Sequence, residues 1–210
     1  MNEGSEGGGG PNPTEIVSCV RCDWASSPSD QRHSLHGSLS YLLPFGGSKF
    51  WGGWSISAVN SFRTGLPLSV TTSRKATDTP DGNTNQQRPN VVAGVPLVPA
   101  GGQCINGWAN IAAFSAPVPG TWGNAGANIV RGPKLFQIDA ALAKDTKITE
   151  RTRLVFRADI FNVFNHPELG PPSLNFSAPA TFGRLTSLLN TSPIGTGGCR
   201  SIQLALRLTF

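Results

Sequence analysis

Apolar and polar residues alternate one for one in five stretches of the chain, and the last stretch is the most regular. From Ser201 to Phe210, Ile202, Leu204, Leu206, Leu208 and Phe210 fall on one side, and Gln203, Ala205, Arg207 and Thr209 on the other. A repeat of two residues is the signature of a β-strand. One wholly apolar side opposite a polar or small one suits a strand with lipid outside and a lumen inside. About Arg151 to Phe164, Leu154, Phe156, Ala158 and Ile160 oppose Val155, Arg157, Asp159 and Phe161. Leu135 to Ala143 sets Phe136, Ile138, Ala140 and Leu142 outward and Gln137 and Asp139 inward. Trp54 to Phe62 opposes Trp54, Ile56, Ala58 and Phe62 to Ser55, Ser57, Val59 and Ser61, with Asn60 the exception on the apolar side. His33 to Leu43 opposes Leu35, Gly37, Leu39, Tyr41 and Leu43 to Ser34, His36, Ser38 and Ser40. Each stretch is close to the ~9–11 residues that a tilted strand needs to cross a bilayer.

The connections sort by length. Pro44 to Phe50 and about Lys144 to Glu150 are short, whereas roughly 70 residues separate the second and third stretches and roughly 35 the fourth and fifth. Membrane barrels alternate short periplasmic turns with long extracellular loops. With Phe210 at the periplasmic end, both short turns fall on that side and both long connections outside. A soluble sandwich has no reason to sort its loops in this way. Tyr41, Phe45, Phe50, Trp51 and Trp54 gather around the first short turn, where an interfacial aromatic girdle belongs. The pattern therefore predicts an all-β fold of antiparallel transmembrane β-barrel strands, part of a barrel with about five long strands. The alternative is a soluble or surface-exposed β-rich binding module, which would hide the apolar sides between two packed sheets.

Composition agrees. Gly 25 and Pro 17 make about a fifth of the 210 residues, against a usual background of roughly 12%. Charged residues are only 14%, below the usual ~25%, as expected when much of the surface faces lipid. Five Trp and 11 Phe are too many for a disordered chain. The net charge of +5 comes from Lys and Arg scattered singly, which argues against a nucleic-acid partner. No apolar run reaches the ~18 residues of a transmembrane helix. The start, Met1-Asn2-Glu3-Gly4 followed by Gly7 to Gly10, reads as neither a signal peptide nor a strand. Residues 1–29 are a Gly/Ser/Pro-rich lead-in, and residues 30–210 are expected to form the barrel portion.

Several blocks carry a family resemblance. Asp30-Gln31-Arg32-His33, Tyr41-Leu42-Leu43-Pro44-Phe45-Gly46, Gly53-Trp54 and Thr64-Gly65-Leu66-Pro67 open it. Trp108-Ala109-Asn110 through Phe114, Gly120-Thr121-Trp122-Gly123-Asn124 and Arg131-Gly132-Pro133 continue it. Asp139 and the run from Phe156-Arg157-Ala158-Asp159 to Asn165-His166-Pro167 complete it. Together they resemble the C-terminal part of TonB-dependent receptors of the Oar-like type, over about residues 30–210. Ala127 departs from that pattern, which continues with arginine there. The resemblance implies a barrel of about 22 strands in the cell outer membrane, taking up substrates with energy delivered by TonB. It also implies partners: outer-membrane lipid, the N-terminal barrel and plug of the same receptor, and TonB only through that N-terminal part. The barrel-assembly machinery would read the terminal Leu206-Arg207-Leu208-Thr209-Phe210.

Nothing in the sequence marks enzymatic chemistry, so no catalytic, cofactor-binding or metal-ligating residue is assigned and no cofactor is expected. A Ser-His-Asp set can be drawn from Asp30, His33 and His36, but no nucleophile elbow or HExxH helix accompanies it. His33 and His36 point to opposite faces of a strand. Asp139 and Asp159 share the inward side, with Arg157 near enough in sequence to neutralise one of them. Cys19 and Cys22 have a CxxC spacing without a second ligand pair, so disulfides in exterior loops are expected rather than zinc. Cys104 and Cys199, one in each long connection, are expected to pair across the outer face.

Overall fold

A computed structural model describes residues 19, 21, 24–45, 51–84, 87–189 and 198–210. Among them are nine strands: β1 (Ser34–Leu42), β2 (Trp54–Arg63), β3 (Pro67–Leu68), β4 (Asn90–Val91), β5 (Phe114–Ser115), β6 (Val130–Arg131), β7 (Leu135–Lys147), β8 (Arg153–Phe161) and β9 (Ser201–Thr209). There is no α-helix among the described residues, only single 3-10 turns such as Ala76–Asp78 and Ile111–Ala113. The chain divides into two compact units, one holding the five long strands (Arg32–Thr64, Lys134–Glu168, Leu188–Phe210) and one holding the long connections (Gly65–Pro133, Leu169–Ser187, with residues up to Gln31).

The strand unit is one sheet in the order β1-β2-β7-β8-β9, and every neighbouring pair is antiparallel. Strands of apolar–polar alternation have to be held in register, since a slip of one residue would turn every side chain over. Here the registers align the apolar rows. Leu39, Ala58, Ala140, Ile160 and Ile202 lie in line across all five strands, and so do Tyr41, Ile56, Leu142, Ala158 and Leu204. Asn60 sits in this face directly opposite Gly37. A side chain at position 37 would bring its Cβ to 2.5 Å from Asn60 Oδ1, so the glycine makes room for the amide.

The stretches begin at Trp54, Leu135 and Ser201 as expected, but some of their ends are shifted. β7 runs four residues past Ala143, and the following turn tightens to Ile148–Thr152, where the N–H groups of Ile148 and Thr149 donate to Thr152 O at 3.0 and 3.2 Å. β8 stops at Phe161 instead of Phe164 because Asn162 adopts a left-handed φ of 52°. Asn tolerates that region better than most residues. Its amide then braces the bend, with Nδ2 donating to His166 O (2.9 Å) and Gly198 O (2.7 Å) while Oδ1 accepts from the His166 N–H (3.0 Å). Asn165, also left-handed at 53°, accepts from the Arg200 N–H at 2.9 Å, one residue before β9 begins. At the opposite end, Gly53 at φ 77° brings its backbone against Asp145 so closely that any Cβ would collide with the Asp145 carbonyl.

The connection unit has its own core, of Val70, Ala109, Ala113, Phe114, Val130, Leu174 and Phe182, with Phe114 and Phe182 edge-to-face at 5.8 Å. Its strands are two-residue pairs, β3 with β6 and β4 with β5. Thr71 bridges in parallel to Asn175 and joins the two long connections. Cys104 and Cys199 are exposed free thiols, so the expected bridge between them is not made. Their long sequence separation carried no information on whether two Cα atoms come within disulfide reach. Cys19 is disulfide-bonded, whereas Cys22 lies outside the described residues.

Asn162→Ala should lower stability by about 3 kcal/mol, from three lost hydrogen bonds at roughly 1 kcal/mol each and the left-handed backbone. Asn162→Gly keeps the conformation and should lose less. Urea unfolding of the full chain reconstituted in lipid measures both, and equal losses would show that the backbone conformation contributes nothing.

Candidate functional site

The working surface of the strand unit is the sheet itself, whose two faces differ in chemistry. On the apolar face Leu35, Leu39, Tyr41, Ile56, Phe136, Ile202, Leu204, Leu206 and Leu208 are all exposed, and Leu206 retains 69% of its surface. Water would penalise such a face at about 25 cal/mol per Å², and exposed patches of this extent mark a protein or membrane interface. These side chains are left exposed, contrary to what a sandwich requires. Aromatic groups lie toward both ends of the face. Phe136 stacks on Phe164 at 6.3 Å near one end, and Phe62 pairs with Phe136 across the ladder. At the other end Lys144 Nζ lies 4.9 Å from the Trp54 ring centroid and donates to Gly52 O at 3.2 Å; Tyr41, Phe45 and Trp51 are exposed. Phe50 of the expected girdle lies outside the described residues. Phe62 and Trp54 are eight positions apart on β2, about 27 Å along the strand at ~3.4 Å per residue. Tilted by ~40°, that is about 20 Å, close to the apolar band of a barrel wall.

The opposite face carries most of the polar and charged residues, and several of its charges are partnered. Arg157 Nε donates to both carboxylate oxygens of Asp159 at 2.8 and 2.9 Å. Asp139 accepts from Gln137 Nε2 at 2.8 and 3.0 Å and from the Asn162 N–H at 2.8 Å. The two aspartates therefore have separate donors. His36 is hydrogen-bonded to Ser34 Oγ and Ser61 Oγ, each at 3.2 Å, while the His33 backbone bonds Thr64. Asp30 is engaged by Arg131, Nη2 to Oδ2 at 2.7 Å and Nη1 to the Asp30 carbonyl at 2.9 Å. The triad that can be drawn on paper thus has its acid committed elsewhere and its histidines on serines or backbone. His166 contributes its backbone to the Asn162 bend.

One residue with a clear local role had no sequence signal. Glu168 is buried, and its Oε1 accepts the Phe136 N–H at 2.9 Å. Where β8 has bent away, the edge of β7 loses its ladder partner; Val163 N–H still reaches Ile138 O at 2.9 Å, and Glu168 takes the next donor in the row. Burial pushes the Glu168 carboxyl above the usual carboxylate range, opposed by the Phe136 N–H and by the positive charges of His166, Arg63 and Lys134.

Comparison with known proteins settles what this two-faced sheet is. Residues 1–203 match the family described as outer membrane beta barrel domain. The chain belongs to that family. Its strands form barrel wall in the cell outer membrane, with the apolar face toward lipid. No curated protein and no solved structure matches the chain. Among the described residues no helix is long and apolar enough to cross a membrane.

Arginine at Leu204, mid-strand on the apolar face, should cost about 2–4 kcal/mol in a bilayer. Gln203→Arg, on the polar face opposite Asp159, should stay within about 0.5 kcal/mol. Urea unfolding in phospholipid vesicles compares them, and equal costs would contradict a lipid-facing row. For Glu168, the raised pKa means that its contribution to stability is full below the ordinary carboxylate range and is lost as pH rises through the folded value. Stability should fall across that window, and Glu168→Gln, which keeps the carbonyl acceptor, should flatten the fall in a pH series of unfolding curves.

Proposed function

We propose that this chain is the C-terminal barrel segment of an Oar-like TonB-dependent receptor, supplying wall and extracellular loops for substrate uptake. The supporting observation is what the residues of the resemblance do. Trp108 Nε1 donates to Arg131 O at 2.7 Å, and Ala109 and Phe114 belong to the core of the connection unit. Asn110 caps the turn at Ile111–Ala113 through the Ala112 N–H at 3.1 Å. Asn124 exchanges hydrogen bonds with the strand at Asn90–Val91, 2.7 Å from the Val91 N–H and 2.9 Å to Asn90 Oδ1. Asp139, Asn162 and Asn165 hold the strand ends. These blocks build long loops that are folded before any substrate arrives, as a receptor surface requires.

On this reading the role is non-catalytic. The plug and the TonB-contacting segment belong to the N-terminal part of the receptor, and Phe210 presents the strand end to the barrel-assembly machinery. The protein encoded by the whole reading frame around this segment should retain TonB in a pull-down from detergent-solubilised outer membranes, whereas residues 1–210 alone should not. Failure of the whole frame to retain TonB would leave a barrel without energised uptake.

A further inference from the structure

The connection unit contains a cavity of about 380 Å³ lined by Thr71, Thr72, Ser73, Arg74, Thr84 and Gln87. Its lining comes from the first long connection and is tied from behind to the second. The Thr71 N–H donates to Leu174 O at 3.0 Å, and the Phe176 N–H donates to Thr71 O at 2.7 Å. The Ser73 N–H donates to Ser177 Oγ at 2.8 Å, and that hydroxyl also bonds Thr72 Oγ1 at 3.0 Å. The Thr72 N–H donates to Gln87 O at 2.7 Å. Thr72 and Gln87 are buried. A wall tied in this way is ordered before a ligand enters, which lowers the entropic cost of binding.

Among the described residues the lining comprises four hydroxyls, one amide and one guanidinium, and no carboxylate. Arg74 is held by neutral groups only: Nη1 donates to Thr121 O at 2.6 Å, and Nη2 donates to Val118 O at 3.2 Å and to Asp78 O. Its position is fixed while its charge stays uncancelled by these partners, and two of its five N–H groups are uncommitted among the described residues. An apolar ligand would strip water from the Ser73 and Thr84 hydroxyls and the remaining Arg74 N–H groups and return no hydrogen bonds. A bare oxyanion would leave most of the volume empty, since small-molecule pockets begin at about 300 Å³.

We propose that this pocket binds a sugar-sized hydroxylated ligand bearing one anionic group, phosphate ester or carboxylate. Arg74 takes the anionic oxygens, and the Thr71, Ser73 and Thr84 hydroxyls exchange hydrogen bonds with the ring hydroxyls. The site needs only the folded connections and does not depend on uptake or on TonB.

Isothermal titration of the full chain in detergent micelles, at fixed ionic strength, tests it with four probes: glucose 6-phosphate, glucuronate, glucose and inorganic phosphate. The two anionic sugars should bind at least about tenfold more tightly than glucose, because bonds to a charged partner are worth about 1.5–3 kcal/mol. Inorganic phosphate should also bind more weakly than they do. The two anionic arms separate a phosphate from a carboxylate ligand. Ser73→Ala with Thr84→Val leaves the fold intact, since Ser73 Oγ accepts only a 3.4 Å contact from Asn175 and Thr84 is exposed. It should weaken both anionic sugars about tenfold. Arg74→Gln, checked for folding by near-ultraviolet circular dichroism, should remove the preference over glucose. Glucose binding as tightly as glucose 6-phosphate, an unchanged affinity in the double variant, or no binding of either anionic sugar at millimolar concentration would overturn the proposal.

Discussion

Hydrocarbon offers no partner to a backbone N–H or C=O, and this constraint organises the strand unit. Each of the four ladders is antiparallel, and the long strands neighbour one another in chain order, however long the connection between them. Where pairing ends early, the chain substitutes for it. Beyond the bend at Asn162, a backbone N–H from Val163 and a carboxylate from Glu168 take up the row that β8 leaves. A buried carboxylate is costly, and its presence shows how much an unsatisfied ladder group there would cost in turn.

The connection unit answers to a different solvent. Its core is a handful of residues, its strands are two residues long, and its backbone is satisfied largely by side chains, turns and short bridges. Glycines, prolines and asparagines suit such a design, because they supply left-handed and extended conformations that regular elements do not use. The unusual composition of the whole chain is therefore the sum of two regimes: lipid-facing strands that need little charge, and loops that need many turns.

The strands were legible because a lipid face imposes a strict repeat of two on residues such as Ile202 to Phe210, with no tertiary context needed. Asn60 broke that repeat, and only the register, which sets it against Gly37, explains it. The end of β8 was misplaced because a left-handed asparagine carries no periodic signal. The core of the connection unit was illegible for the same reason: Val70, Ala109, Phe114, Leu174 and Phe182 are brought together from distant positions, with no period to join them. Glu168 reads as an ordinary surface carboxylate until the bend buries it. The polar pocket was equally hidden, since Ser73 and Ser177 become neighbours across 104 positions.

That last contact has an evolutionary consequence. Because Thr71 and Ser73 are fastened to Leu174, Phe176 and Ser177, neither long connection holds its shape independently of the other. A substitution on one side of the seam therefore exerts selection on the other side, so the two connections must change in concert.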